Sequence, residues 1–131
     1  MIEPVLENNL LRRVLTDPAT GLPNTLYLDL IRNWEEAVAD RQGTDVLLLV
    51  LKIWGGTEAL RRRLAWDLAE SVRKSDFIAS EGPQRFYLLL AVREAEDVAT
   101  IQDRVEQIVA QLNTQASPET QILFELQPLK T

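Results

Sequence analysis

The sequence contains neither cysteine nor histidine. The first absence removes disulfides, thiol nucleophiles and thiolate zinc sites, and the second removes imidazole ligands and every His-dependent triad. Carboxylate chemistry and oxygen-ligand metals are what remain. Long apolar runs are missing too. The longest, Val46 to Leu51, is far short of the roughly 20 residues a membrane span needs, and no basic stretch followed by an apolar one opens the chain. A cytoplasmic protein is therefore expected. Positive charge is also short, with 14 basic against 20 acidic residues and a net charge of −6. That balance argues against a nucleic-acid polymer or an anionic membrane as the main partner, and leaves a local basic pocket open. No internal repeat or low-complexity linker divides the chain. Its 131 residues, 46% of them hydrophobic, suit one compact domain with a real core.

Along the chain, residues 4–15 (PVLENNLLRRVL) predict a short helix, with Pro4 in its first turn and Leu6, Leu10 and Val14 repeating every four residues. TDPATGLPN (16–24) concentrates residues that set turn dihedrals or bond to their own backbone, so an ordered loop is expected, with Asn24 capping the next helix. From Leu26 the apolar positions Leu26, Leu30, Ile31, Trp34, Ala37 and Val38 keep helical spacing and predict a core-facing stripe, which Gln42-Gly43 ends. VLLLVLKIW (46–54) is continuously apolar, as a strand buried on both faces should be. After Gly55-Gly56, another helix carries Leu60, Leu64, Ala65, Leu68, Ala69 and Val72 toward the core and Arg61, Arg62 and Arg63 mostly away from it. Asp76–Ala79 and Arg85–Leu90 predict a hairpin. Val98, Ile101, Val105, Ile108 and Leu112 mark a further core-facing helix ending at Asn113, and Gln121–Leu126 reads as a last strand.

From residue 45 the order is strand, helix, strand, strand, helix, strand. This predicts an α+β, ferredoxin-like sheet of about four antiparallel strands covered by helices on one face and preceded by two N-terminal helices. The expected division is an N-terminal helix over residues 1–15 and a domain over residues 16–131.

Two separated stretches resemble the GGDEF family, the diguanylate cyclase domains that condense two GTP molecules into cyclic di-GMP. DPATGLPN (17–24) is similar to the D-x-L-T-G-L-x-N-R signature that opens those domains: Asp17, Thr20, Gly21, Leu22 and Asn24 match, while Ala19 and Thr25 replace the Leu and the Arg. VRKSDFIASEGPQRF (72–86) is similar to R-x-x-D followed, five residues on, by G-G-(D/E)-E-F. Arg73, Asp76, Gly82 and Phe86 match in register, and Pro83, Gln84 and Arg85 replace the second Gly and the two acids. The resemblance covers about residues 10–126.

It implies that metal-binding carboxylates should come from the first strand and the hairpin turn, to hold divalent ions for phosphoryl transfer. Lys52 and Trp54 stand near the expected strand Asp, and Arg85 takes the place of the metal-binding Glu. A guanidinium repels Mg²⁺, and Pro83 removes an N–H where the backbone should approach GTP. The guanine-reading loop after the first strand and the closing helix of the family also have no counterpart. These departures predict a degenerate domain that is not an enzyme, with no catalytic residues, no metal site and no cofactor.

In the family, R-x-x-D is an inhibitory site for the product, so the resemblance makes Arg73 and Asp76 candidate ligands for cyclic di-GMP, the Arg through charge-assisted bonds and the Asp at a guanine edge. The alternative is an ordinary cation at a helix C-terminus beside a turn-forming Asp. Asp17 and Asn24 are read as structural. Trp66, off the main helical stripe, is the tryptophan singled out for a partner contact. The leading expectation is a regulatory or protein-interaction module of bacterial signal transduction, partnered by a signalling protein or by a second copy of itself. A cyclic di-GMP receptor is the alternative, and a residual nucleotidyl cyclase the remote one.

Overall fold

The computed structural model describes residues 9–43, 45–72, 76–92 and 95–128. Helix α1 (Asn9–Leu15) and helix α2 (Thr25–Gln42) precede strand β1 (Asp45–Gly55), helix α3 (Glu58–Ser71), the hairpin strands β2 (Phe77–Ser80) and β3 (Arg85–Val92), helix α4 (Ala95–Asn113), a single 3₁₀ turn (Pro118–Thr120) and strand β4 (Ile122–Pro128). The strands form one antiparallel sheet in the order β2-β3-β1-β4. The continuously apolar β1 lies inside it, flanked by β3 and β4, as a doubly buried strand must.

Local chemistry sets the element ends. Asn24 Oδ1 accepts from Tyr27 N at 3.0 Å and caps α2, and Gly43 takes the left-handed conformation (φ +68) that stops it. Thr57 caps α3 through Leu60 N at 3.1 Å. Asn113 ends α4 by bonding both backbone groups of Ile122, at 2.7 and 3.0 Å, which fixes where β4 begins. Gly55 and Gly56 both have positive φ, and a Cβ at Gly55 would strike the Gln121 carbonyl oxygen. The glycine pair thus lets β1 turn sharply into α3 while β4 packs against it.

Side chains alternate between the two faces of the sheet. Leu49, Leu51, Ile53, Ile78, Phe86, Leu88 and Leu90 pack with Leu64 and Leu68 of α3 and with Ile101, Val105, Val109 and Leu112 of α4. The neighbouring residues Leu48, Ala79 and Leu89 point the other way and meet Leu15, Tyr27, Leu28 and Ile31. The two helices that follow β1 thus share one face, as expected, and α2, one of the two preceding helices, covers the other: it has its own apolar line, and the opposite side of the sheet supplies the apolar surface to bury it.

Several other expectations need adjustment. The helix predicted over 4–15 is observed from Asn9, and Leu6 lies outside the described residues. Leu10 and Val14, the described part of its apolar repeat, are exposed. On α2 the buried residues are Tyr27, Leu28, Ile31 and Ala39, while Leu26, Leu30 and Trp34 are 49%, 56% and 56% exposed. An 18-residue helix with two apolar lines can lay only one on a sheet. The Tyr27–Phe77 ring contact, with centroids 5.2 Å apart, belongs to the line that won. Trp54 is exposed at the strand end, so all three tryptophans reach solvent, Trp66 among them as expected.

Candidate functional site

The loop over residues 16–24 closes on itself before it touches anything else. Thr16 and Pro23 form an isolated antiparallel bridge, Asp17 N donates to Leu22 O at 2.8 Å, and Gly21 N donates to Asp17 O at 2.8 Å. This folding turns the Asp17 carboxylate inward, where it is buried. Its Oδ1 accepts from Ala19 N at 3.0 Å, and its Oδ2 accepts from Ser80 Oγ at 2.7 Å and from Gly82 N at 2.8 Å. Ser80 N donates to Pro23 O at 2.9 Å, and Ser80 Oγ also meets Thr20 Oγ1 at 2.5 Å. Asn24 Nδ2 donates to Val14 O at 2.6 Å while its Oδ1 caps α2. Each polar residue of the DPATGLPN match thus has a backbone or hairpin partner, in keeping with the structural reading of Asp17 and Asn24. The loop locks the β2–β3 turn to the N-terminal helices.

The turn so anchored carries Gly82, Pro83, Gln84 and Arg85. Gly82 has φ +72, a conformation that side chains disfavour. Glu81 N donates to Arg85 O at 2.9 Å, and Ile53 N donates to Gln84 O at 2.9 Å, which ties the turn to β1. Phe86 is fully buried against α3 and α4, so strand alternation sends Arg85 to the opposite face. The register sets Lys52 of β1 directly opposite Arg85. An open cleft of about 680 Å³ lies here, lined by Lys52, Trp54, Gly55, Arg61, Gln84 and Arg85 with Glu81 as its acid. Arg61 reaches it from the first turns of α3, held over the strand end by an Nε bond to Gly55 O at 2.8 Å.

Sequence reasoning brought Lys52, Trp54, Gln84 and Arg85 to this end of the hairpin, and read the run Arg61-Arg62-Arg63 as a solvated basic face in preference to the extension of a phosphate site. The structure divides that run. Arg62 pairs with Glu58 at 2.7 Å and Arg63 with Asp67 at 3.1 Å along the helix surface, whereas Arg61 turns back toward the sheet. The Gly55-Gly56 turn was the available signal, because a tight turn forces the start of the next helix against the strand it leaves.

The cleft does not fit a divalent metal. Its single carboxylate, Glu81, lies 3.8 Å from the Arg85 guanidinium, and three cations surround the remaining space. Among the described residues no group of three or more acidic side chains could hold a metal ion. Hard cations need several oxygen ligands, and this donor set suits an anion instead.

Of the candidate ligand pair, Arg73 lies outside the described residues and Asp76 sits at the entrance to β2. Asp76 is close to Glu35 of α2. Burial first, and the negative charge of Asp76 second, raise the Glu35 pKa above the ordinary glutamate value. Arg104 of α4 donates to Ser71 O at 2.6 Å, placing a cation at the C-terminal end of α3. No helix among the described residues is long and apolar enough to cross a membrane.

No protein-family model matches the chain. In sequence it is 32% identical to the diguanylate cyclase DgcP of Pseudomonas aeruginosa, in a match that takes in 76% of this chain and 16% of that protein. The chain therefore spans about a sixth of that relative's length. In structure it resembles the diguanylate cyclase SiaD of Pseudomonas aeruginosa, solved with its activator SiaC, at TM-score 0.70 and 22% identity over 98% of this chain and 55% of that one. It also resembles the coiled coil and GGDEF domain of DgcB from Caulobacter crescentus, solved with c-di-GMP, at TM-score 0.69 and 22% identity over 98% and 76% of the two chains. At those identities the structural likeness bears on the fold alone.

The sequence comparison corrects the expectation that the chain is not an enzyme, because the relative it matches is named as one. That expectation rested on the acids missing from the hairpin turn and the strand end, together with the guanine-reading loop and the closing helix that have no counterpart. The sheet order, the loop that locks its central turn and the similarity to DgcP point the same way, and the chain belongs among the GGDEF-like domains.

Proposed function

We propose that this chain is a regulatory, protein-interaction domain of bacterial cyclic di-GMP signalling, which pairs with a second copy of itself through the outer face of α2. The observation that carries the reading is the line Leu26, Leu30 and Trp34, spaced four residues apart on one side of the helix and about half exposed at each position. Large apolar side chains aligned in this way mark an interaction surface more often than an ordinary solvated face. Two comparisons support it. SiaD was solved with a protein activator, and the DgcB structure that overlaps 98% of this chain includes a coiled coil.

A second reading keeps Arg73 and Asp76 as a cyclic di-GMP site, favoured by the place of Asp76 at the mouth of β2 and by the ligand in the DgcB structure. Sedimentation of the wild type, Leu30→Glu and Arg73→Ala, each with and without cyclic di-GMP, separates the two. The pairing reading expects a wild-type dimer without nucleotide and a Leu30→Glu monomer. A wild-type monomer that binds cyclic di-GMP, with binding lost in Arg73→Ala, would replace it with the receptor reading.

A further inference from the structure

Three cationic side chains from three elements converge at the end of the sheet. Lys52 and Arg85 face each other across β1 and β3, and Arg61 is held over the strand end by the Gly55 carbonyl. Like charges directly opposite on neighbouring strands destabilise a sheet. The surrounding acids offset this only in part: Glu125 faces Lys52 from β4 and bonds Gln127 Nε2 at 2.9 Å, and Glu81 is 3.8 Å from Arg85. In a chain of net charge −6, this corner is locally positive. The 680 Å³ cleft and a smaller neighbour of about 280 Å³ share Lys52 and Arg85 as walls, and Trp54 lines the larger one with its indole half exposed.

We propose that this cleft binds a phosphate-bearing anion directly, through Lys52, Arg61 and Arg85 and without a divalent metal. The guanidinium groups offer planar pairs of donors to phosphate oxygens, and Lys52 adds a point charge to the same cleft. A metal ion would be repelled by the same three groups, and once bound to the phosphate it would cancel the charge they recognise. The Trp54 indole offers a stacking face to a ligand that carries an aromatic ring. The cleft volume falls within the range of small-ligand sites. This inference is independent of pairing through α2, because its residues lie at the strand ends.

Titration calorimetry with inorganic pyrophosphate in the presence of EDTA tests it, with guanosine diphosphate as a second probe. Both should bind without metal, and excess Mg²⁺ should weaken binding rather than permit it. Arg85→Glu should weaken binding by roughly tenfold or more, and Lys52→Gln by a few-fold. In a Trp34→Phe/Trp66→Phe background the remaining fluorescence reports Trp54. Quenching together with tighter binding of guanosine diphosphate identifies a nucleotide-type ligand, and equal affinity without quenching identifies free diphosphate. The proposal is overturned if neither probe binds, if binding requires Mg²⁺, or if a folded Arg85→Glu binds as the wild type does. Should Arg85→Glu not fold, Lys52→Gln with an unchanged melting temperature decides by the same criterion.

Discussion

Glu35 is pressed toward its neutral form by burial on α2 and by the charge of Asp76. A carboxyl whose pKa is higher folded than unfolded supports the fold fully below its unfolded value near 4.3, and that support is lost as pH rises through the folded value. At neutral pH the charged Glu35 is therefore a liability. Glu35→Gln should raise the melting temperature at pH 7, and the gain should shrink toward zero as pH falls below about 4. Added salt should reduce the part of the gain that comes from Asp76. Melting curves of both proteins from acid to neutral pH check this, and a gain that is constant with pH would assign it to packing alone. Glu35 did not stand out in the sequence, and Arg61 stood out only as one of a basic run. Each acquires its role from a partner that folding brings near, Asp76 across the α2–β2 contact and the Gly55 carbonyl across a turn. Residue spacing carries no record of such pairs.

At the scale of elements, Asp17 joins the loop to the hairpin through bonds to Ser80 Oγ and Gly82 N. Asp17→Ala would strand a buried hydroxyl and a turn amide that the carboxylate now satisfies, at a cost of about 2–4 kcal/mol. Chemical denaturation should show that loss, and hydrogen exchange should show Gly82 losing protection before the β1–β3 core does. A variant within about 0.5 kcal/mol of the wild type would mean that the tether adds little to the fold. This part of the architecture was legible beforehand. Asp, Thr, Gly, Leu and Asn at those spacings resemble a known loop, and a loop that bonds mostly to its own backbone is coded locally. Helix α2 was legible in its limits and misread in its orientation. Periodicity located the line through Leu26, Leu30 and Trp34 and passed over Tyr27, Leu28 and Ala39, because the choice between the two lines rests on Leu15, Phe77 and Leu89, which come from elsewhere in the chain.

At the scale of the molecule the two faces of the sheet are closed unequally. Helices α3 and α4 share one face and bury its large side chains, whereas on the other α2 packs over β2, β3 and β1 and leaves Leu26, Leu30 and Trp34 outward. The four-strand order was predictable from the sequence of elements. The uneven closure was not, because it depends on which line of α2 the sheet takes. A second copy laid along the outer line would complete this side, and a dimer that forms only from folded chains is stabilised by its own concentration. The melting temperature of the wild type should therefore rise by roughly 2–4 °C for each tenfold increase in protein, while that of Leu30→Glu should stay level. Salt provides an independent sign. Two chains of net charge −6 repel each other, so screening should strengthen pairing, whereas the same screening should weaken uptake of an anion between Lys52, Arg61 and Arg85. A wild-type melting temperature that stays flat over about a hundredfold range of concentration, at both low and high salt, would remove the dimer. The outer line of α2 would then be free for a different protein.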